Sequence, residues 1–72
     1  MVYFTHGEVR YVGYSNMWEV YIYSSDGRYY TDLGWPVLGN GRAHHHHVFA
    51  RNRSGAERKI NRLIRKAERK FN

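Results

Sequence analysis

The sequence predicts an α+β fold: a three- or four-stranded antiparallel sheet packed against one C-terminal amphipathic helix. Three observations carry this. Residues 8–33 alternate apolar and polar positions around two tight-turn signals. Residues 54–71 place apolar side chains at helical spacing behind a capping motif. The chain has 72 residues, enough for one small domain spanning residues 1–72.

A domain of this size buries only ~60% of the surface its unfolded chain exposes. There is no cysteine, so no disulfide or thiolate site reinforces it. Aromatic residues, 17% of the chain, must supply much of the core.

Within the sheet, Glu8–Tyr14 alternates and Ser15-Asn16 offers a two-residue turn. Met17–Tyr23 alternates again, Asp26-Gly27 is a strong hairpin signal, and Arg28–Leu33 returns as the third strand. Pairing across these turns assigns Val9, Tyr11, Trp18, Val20, Ile22, Tyr29 and Leu33 to the core face, with Gly13 opposite Trp18 to make room for the indole. The other face collects Arg10, Val12, Met17, Glu19, Asp32 and four tyrosines, Tyr14, Tyr21, Tyr23 and Tyr30. Tyrosine suits a half-exposed strand, and a cluster of it also forms a candidate protein interface. Val2-Tyr3-Phe4 is a candidate further edge strand.

Gly34–Gly41 is irregular, with Trp35-Pro36 expected to anchor the loop at the core edge. Gly39-Asn40-Gly41-Arg42 has neither the spacing nor the Lys-Ser/Thr of a phosphate loop. A further strand is expected at 44–50. In it His44 and His46 share one face with Val48, while His45 and His47 share the other with Phe49. Alternate strand histidines can chelate a divalent ion, so nickel or zinc binding in vitro is expected, with His44 and His46 as the candidate pair. A structural zinc site commonly wants four ligands including cysteine. Only His6 adds an imidazole, so the expectation is no resident metal and no cofactor.

The helix, about 54–71, opens on Ser54-Gly55-Ala56-Glu57, which fits a capping box. Ala56, Ile60, Leu63, Ile64, Ala67 and Phe71 form a stripe roughly 100° wide. Arg58, Arg62, Arg65 and Arg69 fall opposite it. Lys59, Lys66 and Lys70 line one flank; Glu57, Asn61 and Glu68 line the other, with Arg65 and Glu68 as a candidate i,i+3 pair. The motif Ala-Glu-Arg-Lys recurs at 56–59 and 67–70. Eleven residues are close to three helical turns, so both copies face the same way.

Charge is concentrated in this segment. Residues 51–72 hold nine of the twelve Lys/Arg and two of the six acids, a formal +7 against −1 for the first fifty residues. Such a split implies an anionic partner. Arg51, Arg53, Arg58, Lys59, Arg62, Arg65, Lys66, Arg69 and Lys70 are the candidate nucleic-acid contacts, DNA being favoured over RNA. An acidic host protein is the alternative partner.

Catalysis finds little support. The acids sit in a turn, on the helix flank or on the outer sheet face, with no sign of a water-excluding cleft, so no catalytic residue is assigned. The opening residues are too polar for a signal peptide and no apolar run approaches ~18 residues. The expectation is a complete small cytoplasmic protein with no membrane partner.

The run Trp18-Glu19-Val20-Tyr21-Ile22-Tyr23, then Asp26-Gly27-Arg28-Tyr29-Tyr30, then a helix opening with Ala56-Glu57 resembles the small DNA-binding domains at the amino end of tyrosine recombinases and in the AP2 family. The resemblance spans about residues 9–71 and implies a sheet face set into the DNA major groove. Size, layout and Trp/Gly/Arg usage are also similar to small accessory proteins of actinobacterial phages.

Overall fold

The computed structural model describes residues 2–26 and 43–72. Among these residues are four antiparallel strands and one helix: β1 (Phe4–His6), β2 (Arg10–Tyr11), β3 (Met17–Ser24), β4 (Ala43–Phe49) and α1 (Arg53–Phe71). The fold is α+β, as the alternation and the helical stripe predict. The expected strand Arg28–Leu33, the Asp26-Gly27 turn beyond Asp26 and the Gly34–Gly41 loop lie outside the described residues.

β3 is the organising strand. Along one edge it pairs first with β1 (Phe4↔Ser24, His6↔Ile22) and then with β2 (Arg10↔Glu19, Tyr11↔Trp18). Along its other edge it pairs with β4 over seven positions, from Met17↔Phe49 to Tyr23↔Ala43. The candidate edge strand at 2–4 is thus found two residues later, at Phe4–His6. The histidine run is a full neighbour of the central strand.

β1 and β2 are two halves of one interrupted strand. Between the pairs His6↔Ile22 and Arg10↔Glu19, three residues, Gly7-Glu8-Val9, stand opposite two, Val20 and Tyr21. This is the residue count of a β-bulge. It changes the parity of the strand. Phe4 and His6 share the face of Ile22, yet beyond the bulge Val9 and Tyr11 share that of Val20 and Trp18. Both apolar anchors, Phe4 and Val9, are therefore buried from positions an odd number apart.

The β2–β3 connection is the two-residue turn that Ser15-Asn16 signals. Both residues have positive φ, 59° and 55°, the signature of a type I′ turn. Met17 N–H donates to the Tyr14 carbonyl at 3.1 Å. Gly13 does not face Trp18, contrary to the sequence expectation; Tyr11 does, with ring centres 5.1 Å apart. Gly13 instead has φ 111°, and a Cβ there would meet nothing within 4 Å. Its backbone conformation, not space for the indole, requires glycine.

α1 lies on the face of β3 that carries Trp18, Val20 and Ile22. Ala56, Ile60, Ile64 and Ala67 are buried against these residues with Phe4, Val9 and Val48, and Leu63 and Phe71 pack at the margin. The helix begins one residue before the expected Ser54, and its cap is Asn52. The Asn52 side chain accepts the Gly55 N–H at 2.8 Å. A Cβ on Gly55 would come within 3.3 Å of that same Asn52 oxygen, so the glycine allows the close approach. Ser54 lies inside the first turn, which corrects the capping-box expectation. At the other end, the Asn72 side-chain amide donates to the Val2 carbonyl and accepts the Val2 N–H, at 2.8 and 3.0 Å.

Candidate nucleic-acid interface

All nine predicted basic residues are exposed. They do not form one equivalent set. Arg53 donates to the Val9 carbonyl and lies over the Trp18 ring, 5.5 Å from its centre. Trp18 Nε1–H donates in turn to the Ala50 carbonyl at 2.9 Å. Lys59 donates to the Phe49 carbonyl at the end of β4. These two cations tie the start of α1 to the sheet and so differ from the rest of the predicted set. Arg51 precedes the helix, off its basic face.

The remaining side chains follow from helical spacing. Arg58, Arg62, Arg65 and Arg69 fall within about 60° of arc, and Lys66 and Lys70 extend the basic face to about 140°. Among the described residues no carboxylate pairs with Arg58, Arg62, Arg65, Lys66 or Arg69; the ion pairs found are Arg10–Glu19 and His45–Glu19. The two helix acids lie on the other flank. Glu68 does not serve Arg65: its carboxylate accepts the Phe4 backbone N–H at 2.9 Å. Arg62, Arg65, Glu68, Arg69 and Asn72 line a shallow depression toward the C-terminal end. A second groove runs between α1 and β4, with Val48 and Leu63 at its floor and Lys59, Arg62 and Lys66 on its rim.

The opposite face of the sheet carries the tyrosines. Tyr23 and the turn residue Tyr14 are exposed, and Tyr21 is half-buried and stacked on His45, with ring centres 4.9 Å apart and planes 30° apart. Tyr30 lies outside the described residues. Among the described residues this face also carries Arg10, and Glu19 lies beside its guanidinium at 3.9 Å.

The histidine strand divides by parity. His44 pairs with Ile22 and His46 with Val20, so both look to the helix side; His44 is fully buried. Burial lowers the His46 pKa, and the neighbouring imidazoles of His47, His45 and His44 lower it further. The pair His44/His46 is therefore turned toward the helix side rather than the open face. His45 and His47 face the open side beside Glu19. Nitrogens of both rings and a Glu19 oxygen all lie within 4.8 Å of one another. The alternation of the run placed His45 and His47 on one face. What the sequence lacked was the register that sets Glu19 opposite His47.

No family model, curated protein or solved structure matches this chain. Among the described residues no helix is long and apolar enough to cross a membrane.

Proposed function

We propose that this protein is a non-enzymatic nucleic-acid-binding module that grips the phosphate backbone through the basic face of α1, duplex DNA being the favoured ligand. One observation carries the reading: Arg58, Arg62, Arg65 and Arg69 form an exposed row with no carboxylate partner among the described residues, on a helix anchored to the sheet along its other side. The row is about 17 Å long at 1.5 Å per residue. One strand of duplex carries a phosphate every ~3.4 Å of axis, so the row spans about five. A rigid helix presents these guanidiniums without the ordering cost a disordered polycation would meet. Phosphate contacts position a protein without reading sequence, so weak sequence preference follows. Docking through the helix also suits the charge distribution better than the sheet-face docking of the recombinase and AP2 domains, because Arg10 on that face is offset by Glu19. A cytoplasmic setting belongs to the same reading.

A mobility-shift titration on random duplex across salt concentrations tests this. Five phosphate contacts give a log–log slope near −4.5. Combined charge reversal, Arg58→Glu, Arg62→Glu and Arg65→Glu, abolishes the shift. Affinity independent of salt overturns the reading.

A second reading draws on the exposed aromatic side chains of the opposite surface: an effector of the phage accessory type that binds an acidic host protein. Tyr14 and Tyr23 would supply contact area and α1 electrostatic steering. In nuclease-treated lysate, a partner lost on Tyr14→Ala and Tyr23→Ala substitution supports it; loss of every partner on nuclease treatment supports nucleic acid.

A further inference from the structure

We infer that Glu19, His45 and His47 form a site for one divalent transition-metal ion, of the zinc class, clamped between β3 and β4 on the face away from α1. The site is independent of the helix reading. Strand geometry builds it: His45 and His47 are two residues apart on β4, and register sets Glu19 directly opposite His47. Two strands of one sheet thus converge three ligands of two types, two imidazoles and a carboxylate, suited to the same ion. Two imidazoles select zinc, nickel, copper or cobalt over calcium or magnesium.

The geometry is nearly closed. His45 Nε2 lies 3.2 Å from Glu19 Oε2. Tetrahedral ligands on zinc stand roughly 3.3 Å apart, given bonds near 2.0–2.1 Å. The full set spans 4.8 Å, so the exposed His47 ring must move roughly 1.5 Å to complete it, which is within reach of a side-chain torsion. The surroundings frame the other two ligands. Tyr21 stacks on His45 and fixes its ring plane. Arg10 Nε lies 3.9 Å from Glu19 Oε1, the oxygen not shared with His45, on the side of the carboxylate away from the imidazoles. Two histidines and one glutamate fill three positions of a tetrahedron, leaving a fourth for water or a donor from a partner.

This site differs from the chelation any histidine run provides. On an unstructured run all four imidazoles are equivalent; in this fold His44 and His46 face the helix side. Zinc titration by calorimetry on the full chain, with nickel as a second probe, separates the two. One ion per chain is expected. Glu19→Gln and His47→Gln each weaken binding by more than the roughly 10- to 100-fold that loss of an outer partner costs. His46→Gln leaves it within about threefold, since that ring is not a ligand. In the unmutated protein, Cu²⁺ broadens the ring resonances of His45 and His47 before those of His44 and His6, a readout that does not depend on any variant folding. Equal losses from Glu19→Gln and His46→Gln, or uniform broadening of the whole run, overturn the site.

Discussion

Two residues compete for the N-cap of α1, and the structure decides between them. Asn52 and Ser54 both have acceptor side chains, and both precede a suitable first turn. Asn52 wins with an extended backbone, φ −149° and ψ 171°, and its oxygen reaches the Gly55 N–H. Asn52→Ala therefore costs about 1 kcal/mol in urea denaturation, while Ser54→Ala changes stability by less than about 0.5 kcal/mol. Local pattern alone could not make this choice, because it depends on where Arg53 is drawn by Trp18 and the Val9 carbonyl, residues more than thirty positions away. His46 carries a second expectation. Its pKa in the folded state is lowered from 6.5, so the unfolded chain takes up a proton first as pH falls. Above that value both states are neutral and nothing is lost; below it stability declines until the folded pKa is reached. In chelator-treated protein, stability should fall as pH drops below 6.5 more steeply for the wild type than for His46→Gln.

At the scale of elements, alternation was a sound guide to faces and a poor guide to neighbours. The burial of Trp18, Val20 and Ile22 follows from their period of two, and that of Ala56, Ile60, Ile64 and Ala67 from helical spacing. The pairing of β4 with β3 joins segments some twenty residues apart through side chains that look polar, and no local signal marks it. The bulge is equally hidden, since Val9 reaches its predicted face only because an extra residue shifts the parity that Phe4 and His6 set. Deleting Glu8 would leave Phe4, His6, Val9 and Tyr11 in simple alternation on one face. That deletion should keep the unfolding free energy within about 1 kcal/mol of wild type. Deleting Thr5 turns Phe4 out of the core and should cost at least about 2 kcal/mol. For the helix, Ile60→Ala should cost about 2–5 kcal/mol, because Ile60 is fully buried between α1 and the sheet.

For the whole molecule, sheet parity separates two chemistries. α1 covers the face of Trp18, Val20 and Ile22 and turns its arginine row outward, while Glu19, His45 and His47 look away on the opposite face. The basic row was legible in the sequence because it rests on one helix; the glutamate–histidine cluster was not, because it needs two strands in register. Their separation makes the two sites energetically distinct. An ion that binds the folded state alone stabilises it by about 2.7 kcal/mol at a hundred times its dissociation constant. For a domain of this size that raises Tm by on the order of 10–20 °C. The clamp joins β3 to β4 without touching the arginines, so duplex affinity at fixed salt should change by no more than about twofold. Thermal denaturation and mobility shift, each run with and without saturating zinc, measure the two quantities side by side. A large rise in Tm with unchanged DNA binding is the outcome two sites on opposite faces require. A joint loss or gain would mean that the ion acts through α1.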